Sequence, residues 1–140
     1  MLTQPIGLFE DTGKVVSVSL RTSVSEAAAR MREDRVSAVL VVEAGALVGI
    51  VTEHDVVARV IAPGLDPARV CVDEVMTRDL LTGDPAMLLG HALVLMQTRG
   101  VRHLPVIDNG KPVGLVRARD ALDPALEEFV CEAVRRERYR

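Results

Sequence analysis

Residues 49–55 read Gly49-Ile50-Val51-Thr52-Glu53-His54-Asp55, and 65 residues further on the chain reads Gly114-Leu115-Val116-Arg117-Ala118-Arg119-Asp120. In both stretches an apolar strand pattern gives way to a polar helix start, and a carboxylate follows one turn later. Extending that register outward without a gap aligns 15–57 with 80–122. Nine positions are then identical: Ala27/Ala92, Met31/Met96, Val36/Val101, Val41/Val106, Gly45/Gly110, Val48/Val113, Gly49/Gly114, Val51/Val116 and Asp55/Asp120. A fixed-period internal repeat is a stronger guide to architecture than local propensity. Most of the shared residues are core or turn types, and the Asp55/Asp120 pair is the exception.

Each copy predicts the same order of elements, so the fold class is α+β with two tandem strand-helix-strand-strand-helix repeats. In copy one, Val15 to Val18 reads as a short strand and Ser23-Val24-Ser25-Glu26 as a capping box opening a helix through about Asp34. Val36 to Val42 is a nearly all-apolar strand, the pattern of burial on both faces. Glu43 to Ala46 turns it into a second strand, Leu47 to Val51, and Thr52 starts a helix to about Ile61. In copy two the strand is Leu80-Leu81, the helix Leu88 to Met96, and the hairpin Val101 to Ile107 with Pro112 to Val116. The expected organisation is a lead over 1–14, repeat one over 15–61, a linker with a short helix over 62–79, repeat two over 80–122 and a C-terminal amphipathic helix over 123–140. One copy of this size buries too little surface to stand alone, so the copies are expected to pack about a pseudo-two-fold axis with clefts between them.

Composition narrows the function classes. Apolar residues make up 49% of the 140, yet the aromatics are Phe9, Phe129 and Tyr139 alone, so the core is aliphatic and base stacking has almost nothing to use. A net charge of −3 makes nucleic acid an unfavourable partner. The longest uncharged run, Pro85 to Thr98, is too short for a membrane span, which takes roughly 20 residues. Residues 1–10 lack the basic start of a signal peptide, and Cys71 and Cys131 form no disulfide or zinc pattern, so a soluble cytoplasmic protein is expected. His54, His91 and His103 are scattered and no glycine-rich phosphate loop is present, so an enzyme and a metal site are not expected.

The chemistry concentrates where strand meets helix. Free N–H groups at a helix start favour an anion, the Thr52 hydroxyl can reach a phosphate oxygen, and the Asp55 carboxylate can accept two hydrogen bonds from a diol. Thr52-x-x-Asp55 is equally a plain capping box. In copy two Arg117 replaces Thr52 while Asp120 remains, and loss of the cap hydroxyl alone favours a binding role for the acid. Arg117 is consistent with a phosphate partner and with a solvated face. His103, entering an apolar strand, reads as a partly buried structural residue or a ligand contact.

The duplicated unit, Gly49 to Asp55, the lead-in Val75-Met76-Thr77-Arg78-Asp79, and Gly100-Val101-Arg102-His103-Leu104-Pro105-Val106 together resemble a tandem CBS-domain pair, or Bateman module, over about residues 10–122. The Pro63 to Pro67 linker resembles that of small stand-alone bacterial pairs. The resemblance implies a regulatory module that binds an adenosyl ligand, AMP, ADP or ATP first and S-adenosylmethionine or NAD in some cases, in the clefts between repeats; the nucleotide is a ligand, and no cofactor is implied. By matching positions, Asp55 and Asp120 would hold ribose hydroxyls and Thr52 a phosphate. Arg102 would reach phosphates, His103 and Arg117 are further ligand-binding candidates, and the base would lie against backbone near Val16 or Leu81. Arg117 departs from the usual Thr or Ser, and Ser37-Ala38 stands where copy two has Arg102-His103, so unequal sites are expected. The implied assembly is a homodimer that signals to a separate, unidentified protein partner; the alternative is a ligand-free dimerisation scaffold.

Overall fold

The computed structural model describes residues 2–8, 14–118 and 124–138. These fall into two compact units, one running from Lys14 to Leu80 with Gly110–Pro112, the other made of the remaining described residues.

In the first unit β1 (Ser17–Ser19) leads to α1 (Val24–Asp34), β2 (Ala38–Glu43), β3 (Ala46–Thr52) and α2 (Glu53–Val56), which continues as a π-helical turn over Val57–Ile61. The Ser23 hydroxyl accepts the Glu26 N–H at 3.1 Å, which is half of the expected capping box and starts α1. Val24, Ala27 and Met31, three and four apart, form the buried stripe of that helix. The Lys14 ammonium pairs with Asp34 at the helix end and holds its carboxyl below the ordinary value of 3.8. Along β2, Ala38, Val39, Leu40 and Val41 are all buried, because β2 is the middle strand, parallel to β1 and antiparallel to β3. Ala44 and Gly45 both have positive φ, 51° and 81°, the pattern of a two-residue hairpin turn matched to strand twist.

The second unit holds α4 (Leu89–Arg99), β4 (His103–Asp108), all but the first two residues of β5 (Lys111–Arg117) and the C-terminal helix α5 (Pro124–Arg138). The β4–β5 turn, Asn109-Gly110, has the same paired positive φ, 52° and 80°, and α4 ends on Gly100 in the left-handed region, as α1 ends on Arg35. Leu80-Leu81, expected as a strand, is not one. Instead Gly83 alone bridges Val106 in parallel, the counterpart of Val18 against Val41 in the first unit. The reason is proline. In copy one the Leu40 N–H donates to the Val16 carbonyl at 2.8 Å, and in copy two those positions are Pro105 and Leu81, so the rung has no donor. The ladder shrinks to the two bonds made by Gly83, whose N–H donates to Pro105 (2.9 Å) and whose carbonyl accepts from Ile107 (2.8 Å).

The lead and the linker play equivalent parts. The residues before α3 (Val72–Val75) supply carbonyls to the start of α1: Val24 N–H donates to Val70 at 2.8 Å and Ser25 N–H to Pro67 at 2.9 Å. At α4 the capping position is Leu88, which has no side-chain oxygen, and the N–H groups of Leu89 and Gly90 donate to Gln4 and Leu2, both at 2.9 Å. Ile6, 1% exposed, packs into the core of α4, β4 and β5, as Val72 does into that of copy one. Residues 2–8 therefore complete repeat two, although they precede repeat one. α5 packs along α4 and places Val134 in the same core. From its sequence, Asp123 is the N-cap of this helix and Leu126, Phe129 and Val130 belong to its apolar stripe; Asp123 and those three side chains lie outside the described residues.

Candidate functional site

Sheet register brings the sequence-marked residues of copy one to one end of the sheet. Ser17 pairs with Leu40, so Val16 lies beside the start of β2, and Ala38 at that start pairs with Thr52 at the end of β3. The Glu53 N–H closes the corner by donating to the Ser37 carbonyl at 3.0 Å. Val16 is buried and its carbonyl accepts from Leu40, whereas Ser37 and Thr52 are half-buried.

Asp55 sits one turn into α2 and is the sole buried charged residue among those described, at 6% exposure. Its Oδ2 accepts the Thr52 N–H at 2.9 Å and the Thr52 hydroxyl at 3.1 Å, and its own N–H donates to Thr52 Oγ1 at 3.3 Å. The capping box is thus complete in both directions. Both side-chain bonds fall on one oxygen. Oδ1 faces the Nε of Arg59 at 3.8 Å, close enough for ion-pair attraction and too long for a hydrogen bond. Arg59 also donates from Nη1 to the Val75 carbonyl at 2.9 Å. The two readings of Asp55 are therefore compatible: the cap uses Oδ2 and leaves Oδ1 outside it, facing Arg59.

In copy two the same end of the hairpin carries Arg102, exposed, His103, half-buried at the first position of β4, and Arg117, half-buried at the last position of β5. The Ala118 N–H donates to the Arg102 carbonyl at 2.8 Å, which repeats the Glu53–Ser37 bond at the same offset of 65. Leu81 is half-buried and packs on the core below. Asp120 lies outside the described residues. Where copy one presents Ser37, Ala38 and Thr52, copy two presents two guanidinium groups and an imidazole, a difference in charge at matched backbone positions.

Among the described residues one group has donor atoms close enough to share a metal: Cys71, Asp73 and Glu74, within 4.8 Å of one another. The Glu74 carboxylate already accepts the Cys71 N–H at 2.7 Å as the cap of α3; Cys71 and Asp73 are half-buried and Glu74 is exposed. Among the described residues no helix is long and apolar enough to cross a membrane.

Two copies of one strand-helix-hairpin unit, each ending its sheet at a helix start or its counterpart, define a duplicated α+β module. The chain belongs to the CBS-domain family: the family model for the CBS domain matches residues 10–62 and again 72–126. A curated relative, the CBS domain-containing protein YhcV of Bacillus subtilis, is 38% identical over 109 residues, covering 78% of this chain and 77% of its own. An uncharacterised conserved protein from Pyrococcus horikoshii has the same fold in its crystal structure, with a TM-score of 0.78, 32% identity, and coverage of 89% of this chain and 94% of its own. The CBS domain pair of protein MJ0100, crystallised with 5′-methylthioadenosine and S-adenosylmethionine, shares the fold at a TM-score of 0.73 and 24% identity, with 84% of this chain and 92% of that one covered.

Sequence reasoning did not find Arg59 or the seat of the lead on α4. Arg59 pairs with Asp55 at i, i+4 spacing, which is a readable signal, but its second partner is a backbone carbonyl 16 residues away and leaves no pattern.

Proposed function

We propose that this CBS pair is a regulatory sensor of an adenine nucleotide, AMP, ADP or ATP, that signals through a separate protein partner. The observation that carries the reading is the buried Asp55 carboxylate with Oδ1 outside the cap, one turn after a hydroxyl at a strand end. A vicinal diol donates to such a carboxylate as a ribose does to the acidic residue of a dinucleotide site. Arg102 and Arg117 in copy two would complement phosphates, and the MJ0100 pair bears adenosyl compounds on the same fold. Asp120 would serve the diol in copy two, with Val16 and Leu81 beside the base. A ligand that favours one arrangement of the chain shifts its population, and that shift is the signal. A homodimer has an apolar contact available in Val57 and Ile61, four residues apart and 59% and 55% exposed. The protein regulates and does not catalyse.

Thermal shift with each nucleotide tests the reading. Ligand at about 100 times its dissociation constant adds roughly 2.7 kcal/mol and raises the midpoint by about 5–15 °C. Two variants separate the roles of Asp55. Asp55→Asn keeps an oxygen for the cap, so unliganded stability should fall by under about 1 kcal/mol while affinity drops at least tenfold. Asp55→Ala removes both and should cost about 1–2 kcal/mol without ligand. No shift with any nucleotide, together with a dimer in sedimentation velocity, would favour the scaffold alternative.

A further inference from the structure

Arg59 touches two things that matter separately. Its Nε faces Asp55 Oδ1 at 3.8 Å, and its Nη1 donates to the carbonyl of Val75 at 2.9 Å. Val75 is the last residue of α3, and the next two residues are fixed to β3: Thr77 exchanges two backbone bonds with Ile50, at 2.9 and 3.1 Å, and Met76 lies over Gly49. The Met76 N–H closes α3 by donating to Val72 at 2.8 Å. Val75 and Met76 are buried, while the Arg59 side chain is 51% exposed, so the guanidinium can exchange its partners for water. One exposed cation thus ties the candidate diol acceptor to the segment that leads into copy two.

We propose that Arg59 is a positioning residue that couples occupancy of Asp55 Oδ1 by a vicinal diol to the hold on Val75–Thr77. The inference rests on the reading of Asp55 as a diol acceptor. A neutral hydroxyl donating to Oδ1 takes the lone pairs that the guanidinium faces and weakens its attraction to that oxygen. Released from one anchor, Arg59 no longer holds its Nη1 on the Val75 carbonyl, and the segment from Val75 to Thr77 opens more often. The coupling is reciprocal: whatever factor the bound diol removes from the Arg59 contact, the Arg59 contact removes from diol affinity.

The test uses the full chain, calorimetry, and amide hydrogen exchange at Met76 and Thr77, with adenosine and 2′,3′-dideoxyadenosine at matched occupancy. Adenosine should speed exchange at those two amides about fivefold in the parent protein, and the dideoxy compound should leave it unchanged. Arg59→Met keeps the aliphatic stem and removes both contacts. It should bind adenosine roughly fivefold tighter, with Met76 and Thr77 exchanging fast whether or not ligand is present. Arg59→Lys, whose single ammonium cannot serve both partners, should lose the ligand dependence of exchange with an intact fold. Adenosine binding that leaves exchange at Met76 and Thr77 unmoved, or weaker binding by Arg59→Met, overturns the coupling while the diol reading stands. Failure of adenosine to bind the parent protein overturns the diol reading and the coupling with it. Unliganded Arg59→Met then still reports whether Arg59 holds the segment.

Discussion

Copy two provides a template for stabilising copy one. Arg35 ends α1 with φ 55° and ψ 44°, and Ala44 turns the β2–β3 hairpin with φ 51°. Neither is a residue type that takes the left-handed region readily. The corresponding residues of copy two are Gly100 and Asn109, which do. Crowding of Cβ against the carbonyl costs an ordinary L-residue roughly 1–2 kcal/mol there, and glycine's greater freedom in the unfolded chain offsets roughly 0.5–1 kcal/mol of the gain. Arg35→Gly should therefore stabilise by about 0.5–1 kcal/mol. Ala44→Asn, which tolerates the region without glycine's entropy, should add about 0.5 kcal/mol. Both side chains are exposed, so little packing is lost with either. For 140 residues, an unfolding entropy of about 2 cal/mol/K per residue makes 1 kcal/mol roughly 3 °C. The double variant should melt about 3–5 °C above the parent by calorimetry, and Gly100→Arg with Asn109→Ala should melt lower by a similar amount. If the first pair leaves the midpoint within about 1 °C and the second costs nothing, backbone strain at these positions is absent and the reasoning fails.

Two further substitutions probe the segments flanking repeat one. A Cβ on Gly49 would press on Met76, with Cγ at 2.8 Å, so Gly49→Ala should cost about 1–3 kcal/mol and weaken exchange protection at Thr77. Ile6→Ala should cost about 2–4 kcal/mol, and the loss of protection should appear in α4 and β4 while β2 and β3 keep theirs; the opposite distribution in hydrogen exchange would refute the assignment of the lead to repeat two.

The repeat register reached most of the fold because the residues that hold it also carry the pattern: Ser23 starts a helix, Gly45 and Gly110 make turns, and Ala27 with Met31 faces the core. It failed at Leu80-Leu81 because a strand depends on its neighbour, and the neighbour there is Pro105. It missed the place of the lead in repeat two because Ile6 and Val72 sit 66 residues apart, one step out of the register that aligns the two repeats. At the site, Thr52 and Asp55 were legible by spacing, but spacing does not distinguish the two oxygens of a carboxylate. The split between Oδ2 and Oδ1 is visible only in three dimensions, as is the reach of Arg59 to a carbonyl.

The exchange of lead and linker has a consequence for synthesis. As the chain leaves the ribosome, repeat one acquires its own flanking carbonyls from the linker within the next few residues and can mature early. Leu2, Gln4 and Ile6 emerge before repeat one, yet their seat on α4 does not exist until Gly90 and the β4–β5 hairpin have been made. Residues made before repeat one are placed only after repeat two has been made, and a fragment beginning at residue 80 would carry repeat two without the segment that finishes it.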